Sequence, residues 1–226
     1  MLNEPNLPLP HPHNNIILTP PRPNSDETAL VTLLNSPKIY PHITTPPYPY
    51  HHDHAVYFLA NAYAESARLL ASAHTDQFVN GCPFTCIRFA NSGQMIGVVT
   101  ISRDNFPELR VGSEERGHAI GMNEGREVGG EGVIWMFGDY LSPSHHGKGI
   151  MTAVVRTIIH DWAIPRMNAH IIKASMHTDN TGSRRVFEKN QFRKQCTLED
   201  WAVVPENRGG GRKSIHVMEW RREYIE

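Results

Sequence analysis

Ile150, Val154, Val155, Ile158, Ile159 and Trp162 recur at i, i+4, i+5, i+8, i+9 and i+12, the repeat of a helix that turns one face to a core. Just before them stand Gly147 and Gly149, and before those an apolar, strand-like run over residues 133–141. A strand, a glycine turn and a helix in that order leave free N–H groups at the helix start. Such an end binds anions, phosphates above all. Glycine suits the turn, because a backbone without Cβ can come close to a ligand. The plain alternative is a glycine turn in front of a core helix. Residues 169–176 form a further strand. Because it follows a strand–helix unit, it should lie parallel to residues 133–141.

The rest of the chain divides by the same rules. Residues 15–19 are a short strand stopped by Pro20 and Pro21. Asn24 or Ser25 caps a helix whose apolar side is Leu30, Val31, Leu33 and Leu34, and Asn24 with Glu27 has capping-box spacing. Residues 40–50 are a proline-studded loop carrying three tyrosines. A helix is predicted over residues 53–70, with Asp53 as N-cap and Val56, Leu59, Ala60, Tyr63, Ala67 and Leu70 as its inner stripe. Residues 84–89 and 94–102 pair as a hairpin around Asn91-Ser92-Gly93. Residues 103–132 are charged and glycine-rich with no sustained period, as in a functional or mobile segment. Asp179 and Asn180 cap a helix over residues 181–190, and two strands follow at 197–204 and 214–220. Residues 1–14 hold four prolines and read as a flexible Pro/His-rich lead-in to one domain over residues 15–226.

Composition narrows the partners. Net charge is −1, so nothing marks a nucleic-acid or acidic-membrane binder. No stretch approaches the apolar length of a membrane span, and the first residues lack the pattern of a signal peptide. Three cysteines with no framework suit a reducing, cytoplasmic setting. His51-His52-Asp53-His54 looks like a metal cluster, but consecutive residues at a helix start diverge, so no metal is expected.

The glycine turn decides the chemistry. A P-loop needs G-x-x-x-x-G-K-S/T, but Ile150 follows Gly149; a dinucleotide turn needs a third glycine where Thr152 stands. His146-Gly147-Lys148-Gly149-Ile150-Met151 resembles the pyrophosphate loop Q/R-x-x-G-x-G/A of the GNAT N-acetyltransferases, with His146 and Met151 as departures. Residues 180–192 resemble N-x-x-S-x-x-V-x-E-K-x-G-F of the RimJ/RimL-like branch. Gly138-Asp139-Tyr140-Leu141-Ser142-Pro143 resembles that branch's G-Y-x-L-x-P strand. Two further departures are Gln191 for the usual Gly, which suggests a different helix exit, and Phe187 where many relatives carry a catalytic Tyr.

The resemblance implies an α+β (mixed α/β) fold: a central, mostly antiparallel twisted sheet with one splayed parallel strand pair and flanking helices. It implies acetyl-CoA as cosubstrate and a primary amine, of a small molecule or a peptide or protein N-terminus, as acceptor. The protein would be a monomer or homodimer. The backbone of Tyr140, Leu141 and Ser142 would pair with the pantetheine, and the stretch from His146 through Gly147, Lys148, Gly149 and Ile150 to Met151 would hold the pyrophosphate. Asn180 and Ser183 would contact the cofactor arm and its sulfur. Asp139, His177 and Glu131 are candidate bases, with Asp139 the unexpected carboxylate in an apolar strand. The proline-rich loop and residues 103–132 would shape the acceptor pocket. A non-catalytic CoA-binding sensor or scaffold is the alternative.

Overall fold

The computed structural model describes residues 4–224. Eight strands form one sheet: β1 (Leu7–Pro8), β2 (Ile16–Thr19), β3 (Cys86–Phe89), β4 (Met95–Arg103), β5 (Ile134–Leu141), β6 (Ile171–His177), β7 (Arg193–Val203) and β8 (Arg212–Arg221). Their order across the sheet is β1-β2-β3-β4-β5-β6-β8-β7. Every neighbouring pair is antiparallel except β5 and β6, which run parallel as the chain order required. The helices are α1 (Glu27–Leu34), α2 (His52–Thr75), α3 (Glu114–Glu124), α4 (Ile150–Thr157), α5 (Ile164–Met167) and α6 (Thr181–Glu188). The sheet carries two apolar clusters. One joins α1, the start of α2, Tyr50 and one side of β4. The larger one joins Trp135, Phe137 and Leu141 of β5 to α4, its continuation and α6.

Several elements differ from the sequence reading, each for a local reason. Leu7 and Pro8 pair with β2, and Leu9 is buried, so this part of the lead-in packs on the sheet edge. An edge strand leaves one side unpaired, which is why its prolines are tolerated. Asn24 donates its N–H to Glu27 Oε1 at 2.6 Å, but the N-cap is Asp26, whose carboxylate is turned to Arg88. The long helix begins at His52, with His51 rather than Asp53 as N-cap. Its buried residues are Ala55, Leu59, Ser66 and Leu69, while Val56 and Tyr63 are exposed. The inner stripe is therefore rotated by about one residue. Ser66 is accepted inside because its hydroxyl donates to Pro83 O at 2.9 Å.

The segment read as structureless contains α3, capped by the Ser113 hydroxyl, which accepts the Arg116 N–H at 3.2 Å. Its polar face and two glycines hid it. The helix after the glycine turn runs past Pro165. A π-helical stretch, Ile158–Ala163, passes into α5 with Pro165 in its first turn, and Asn168 closes it in left-handed conformation at φ 48°. Gln191 takes φ 67°, the backbone that Gly would take. The helix exit is thus the usual left-handed one, not a different one, and the glutamine bears its strain.

Candidate active site

β5 and β6 pair only from Ile134–Ile171 to Phe137–Ala174. Beyond that point β5 continues to Leu141 against β4, and β6 continues to His177 against β8. The two strands part, and a cleft of about 610 Å³ opens between them. Gly138, Asp139, Tyr140 and Leu141 line one side and Ser175 and Met176 the other. Ser142 N–H donates to Ile96 O at 2.7 Å, so that residue faces β4. Antiparallel alternation then turns Gly138 and Tyr140 to β4 and leaves the backbone of Asp139 and Leu141 on the open side. Ser142, expected at the ligand, does not line the cleft.

The glycine turn closes one end. Gly147 and Gly149 are left-handed, at φ 72° and 78°. A Cβ on Gly147 would meet nothing within 4 Å, so it is backbone conformation, not crowding by the fold, that demands glycine there. The first helical amide with a carbonyl partner is that of Ala153, which donates to Gly149 O at 3.0 Å. Among the described residues, the N–H groups from Gly147 to Thr152 find no acceptor. Free N–H groups at the start of a helix can receive an anion. His146 steadies the turn through a 2.7 Å bond between its Nε2 and Leu141 O. Lys148 is exposed and does not line the cleft. The cations that do are Lys38, Arg185 and Lys189. Arg185 on α6 and Lys189 at its C-cap lie one turn apart. Their i, i+4 spacing was visible in the sequence but was read as part of a motif, not as charge.

Asp139 lies in the parted stretch of β5. Burial pushes its carboxyl up to about 6. No hydrogen bond or ion pair reaches it among the described residues, so nothing offsets the desolvation. Asn180 caps α6: its Oδ1 accepts the Ser183 N–H at 3.1 Å. That contact holds Ser183 at the cleft wall, and among the described residues its hydroxyl has no hydrogen-bond partner. Phe187 is 1% exposed and packs on Phe192 at 4.9 Å between ring centres, away from the cleft. The aromatic position that many relatives use for chemistry is core here.

His177 does not line the cleft; it is buried beneath its rim. Burial, aided by Lys213, holds its imidazole below the ordinary histidine value against the pull of Asp179. Glu131 is exposed and outside the lining. The proline-rich loop does supply a wall, but through His42 and Ile43, with Ile39 just before it, rather than through its tyrosines. Tyr40 and Tyr48 stack on each other at 4.3 Å, and Tyr50 is buried. Arg208, in the turn between β7 and β8, ties this loop down by donating to the carbonyls of Tyr40, Ile43 and Pro46.

A mixed sheet parted at its one parallel pair, beside a helix start of free amides, is the arrangement of the N-acetyltransferase class. The model of the acetyltransferase (GNAT) domain matches residues 15–193, and the chain belongs to that family. Solved structures share the fold. RimL, a ribosomal alpha-N-protein acetyltransferase in complex with coenzyme A, superposes with TM-score 0.64 at 14% identity, covering 96% of this chain and 98% of that one. Mycobacterium smegmatis RimJ with a CoA disulfide gives 0.61 at 20% identity, covering 98% and 88%. The probable N-acetyltransferase YjcK of Bacillus subtilis (strain 168) is 43% identical over 58 residues, 26% of this chain. The match spans 32% of that curated relative's own length. Among the described residues, no helix is long and apolar enough to cross a membrane.

Proposed function

We propose that this protein is an N-acetyltransferase that moves an acetyl group from acetyl-CoA to a primary amine, of a small molecule or of a peptide or protein N-terminus. One observation carries the reading. The parted end of β5 holds an unpaired, basic carboxylate, Asp139, in the same cleft as a run of free amides. The amides from Gly147 to Thr152, with Arg185 and Lys189, hold the phosphates. Backbone groups of Asp139 and Leu141 hold the extended arm. Asp139 takes the proton that an ammonium must lose before its nitrogen can attack. Its raised basicity suits this work while leaving it mostly anionic at pH 7. Asn180 positions Ser183, whose hydroxyl donates a hydrogen bond to the departing sulfur or its water. Because a thioester is already activated, positioning supplies much of the rate. The three free cysteines, two of them buried, support a reducing, cytoplasmic setting. The working unit is a monomer or homodimer.

Calorimetric titration with acetyl-CoA, followed by thiol release against a panel of amines and short peptides, tests the reading. Saturable binding with turnover supports it and sorts the acceptor class. Binding without turnover on any amine would favour a CoA sensor. A Gly149→Val variant should bind acetyl-CoA more weakly, and unchanged affinity would count against the cradle.

A further inference from the structure

At the rim of the cleft, three side chains from distant parts of the chain meet. His42 stands in the loop between α1 and α2, His177 ends β6, and Asp179 follows it by two residues. One donor atom from each lies within 4.8 Å of the other two. His42 Nδ1 is 3.7 Å from Asp179 Oδ1. The Nδ1 atoms of both histidines are sealed from solvent and have no hydrogen-bond partner among the described residues. His177 as a residue is only 6% exposed. A buried polar atom left unpaired is costly, and two beside one carboxylate call for a ligand that satisfies both.

We propose that His42, His177 and Asp179 form a binding site for a divalent transition-metal ion, of which zinc is the representative. Two imidazoles and one carboxylate are the donor set of open zinc sites, with the fourth position left to water. Magnesium and calcium prefer all-oxygen shells and fit poorly. Zinc bonds to nitrogen and oxygen run about 2.0–2.2 Å, so the donors must close inward on the ion. His42 can supply that movement by turning its side chain, which is 31% exposed, while the backbone around it stays held by Arg208. Lys213 Nζ, 3.1 Å from Asp179 Oδ2, opposes the ion by charge but leaves Oδ1 on the histidine side. Bound metal would tie the loop that walls the cleft to the end of β6. The site does not depend on acetyl transfer, and its test uses no CoA.

The experiment is calorimetric titration of the chelator-treated full chain with zinc chloride, repeated with cobalt(II) to read visible absorption. One ion per chain is expected. His42→Ala and Asp179→Asn should each weaken binding at least tenfold and abolish the cobalt bands. His177 is buried in β6, so these two more exposed residues carry the test, with circular dichroism showing that the variants fold. A chain with His51, His52 and His54 all changed to Ala should bind as the parent does. Absence of saturable binding would overturn the site. So would binding that survives His42→Ala and Asp179→Asn, or that is lost instead with the His51, His52 and His54 changes.

Discussion

Two aspartates of this molecule are withdrawn from water under opposite conditions. Asp26, 2% exposed, accepts from Arg88 Nη1 at 3.0 Å and Nη2 at 2.8 Å, and from the Arg22 N–H at 2.8 Å. Arg88 in turn donates to Thr19 Oγ1 and to Gly93 O. Asp139 has no partner among the described residues, and burial raises its carboxyl to about 6. The first carboxylate is satisfied and locks α1 to β3. The second is left wanting and is available for chemistry. Burial alone does not tell structure from function; the presence or absence of partners does.

The largest expected effect breaks the satisfied side. Arg88→Ala should cost about 3–5 kcal/mol in chemical denaturation, because Asp26 would stay buried and uncompensated. Adding Asp26→Leu should recover part of that loss, and no recovery would show that Arg88 acts by packing alone. Next, Asp139→Asn should lower turnover by about 10²-fold or more while the folded state gains about 1–2 kcal/mol. Equal loss of both activity and stability would contradict the contrast.

The pH dependence sharpens it further. Asp139 has its folded value raised above its unfolded one, so its protonated form favours folding. That stabilisation is present below the unfolded value and is lost as pH rises through about 6. Activity should move the other way, rising through about 6 and levelling off above it. The stability change across this window should vanish in Asp139→Asn. Asn180→Ala should lose about 1 kcal/mol of cap energy and slow turnover through Ser183. Smallest of all, Gln191→Gly should stabilise by about 1 kcal/mol by relieving the left-handed glutamine, with activity unchanged.

Much of the fold was legible because its signals are local. The α4 repeat, the glycine pair, the Asn180 cap and the hairpin between β3 and β4 each lie within a few residues of one another. What escaped had weak or misleading local signals. The α2 stripe was misplaced because Ser66 looked polar, yet its hydroxyl meets Pro83 O. The α3 helix was missed because it buries little: Asn123 alone among its residues is buried. The cations of the cleft were sought at Lys148, which neighbours the glycines in sequence, whereas Arg185 of α6 and Lys189 at its C-cap line it.

By itself the sequence determined the strand–turn–helix unit, the parallel course of β6, the unexpected carboxylate Asp139 and the Asn180 cap, since periodicity, capping and glycine conformation act over short spans; Ser183 came from the resemblance. Only the tertiary structure decided that pairing stops after Phe137 and Ala174, which leaves the backbone of Asp139 without a strand partner on the cleft side. It also decided that Phe187 is core, that Asp26 finds Arg88, and that His42 meets His177 and Asp179. These outcomes rest on which distant groups are brought within a few ångströms, and desolvation and hydrogen bonding take their values only from those neighbours.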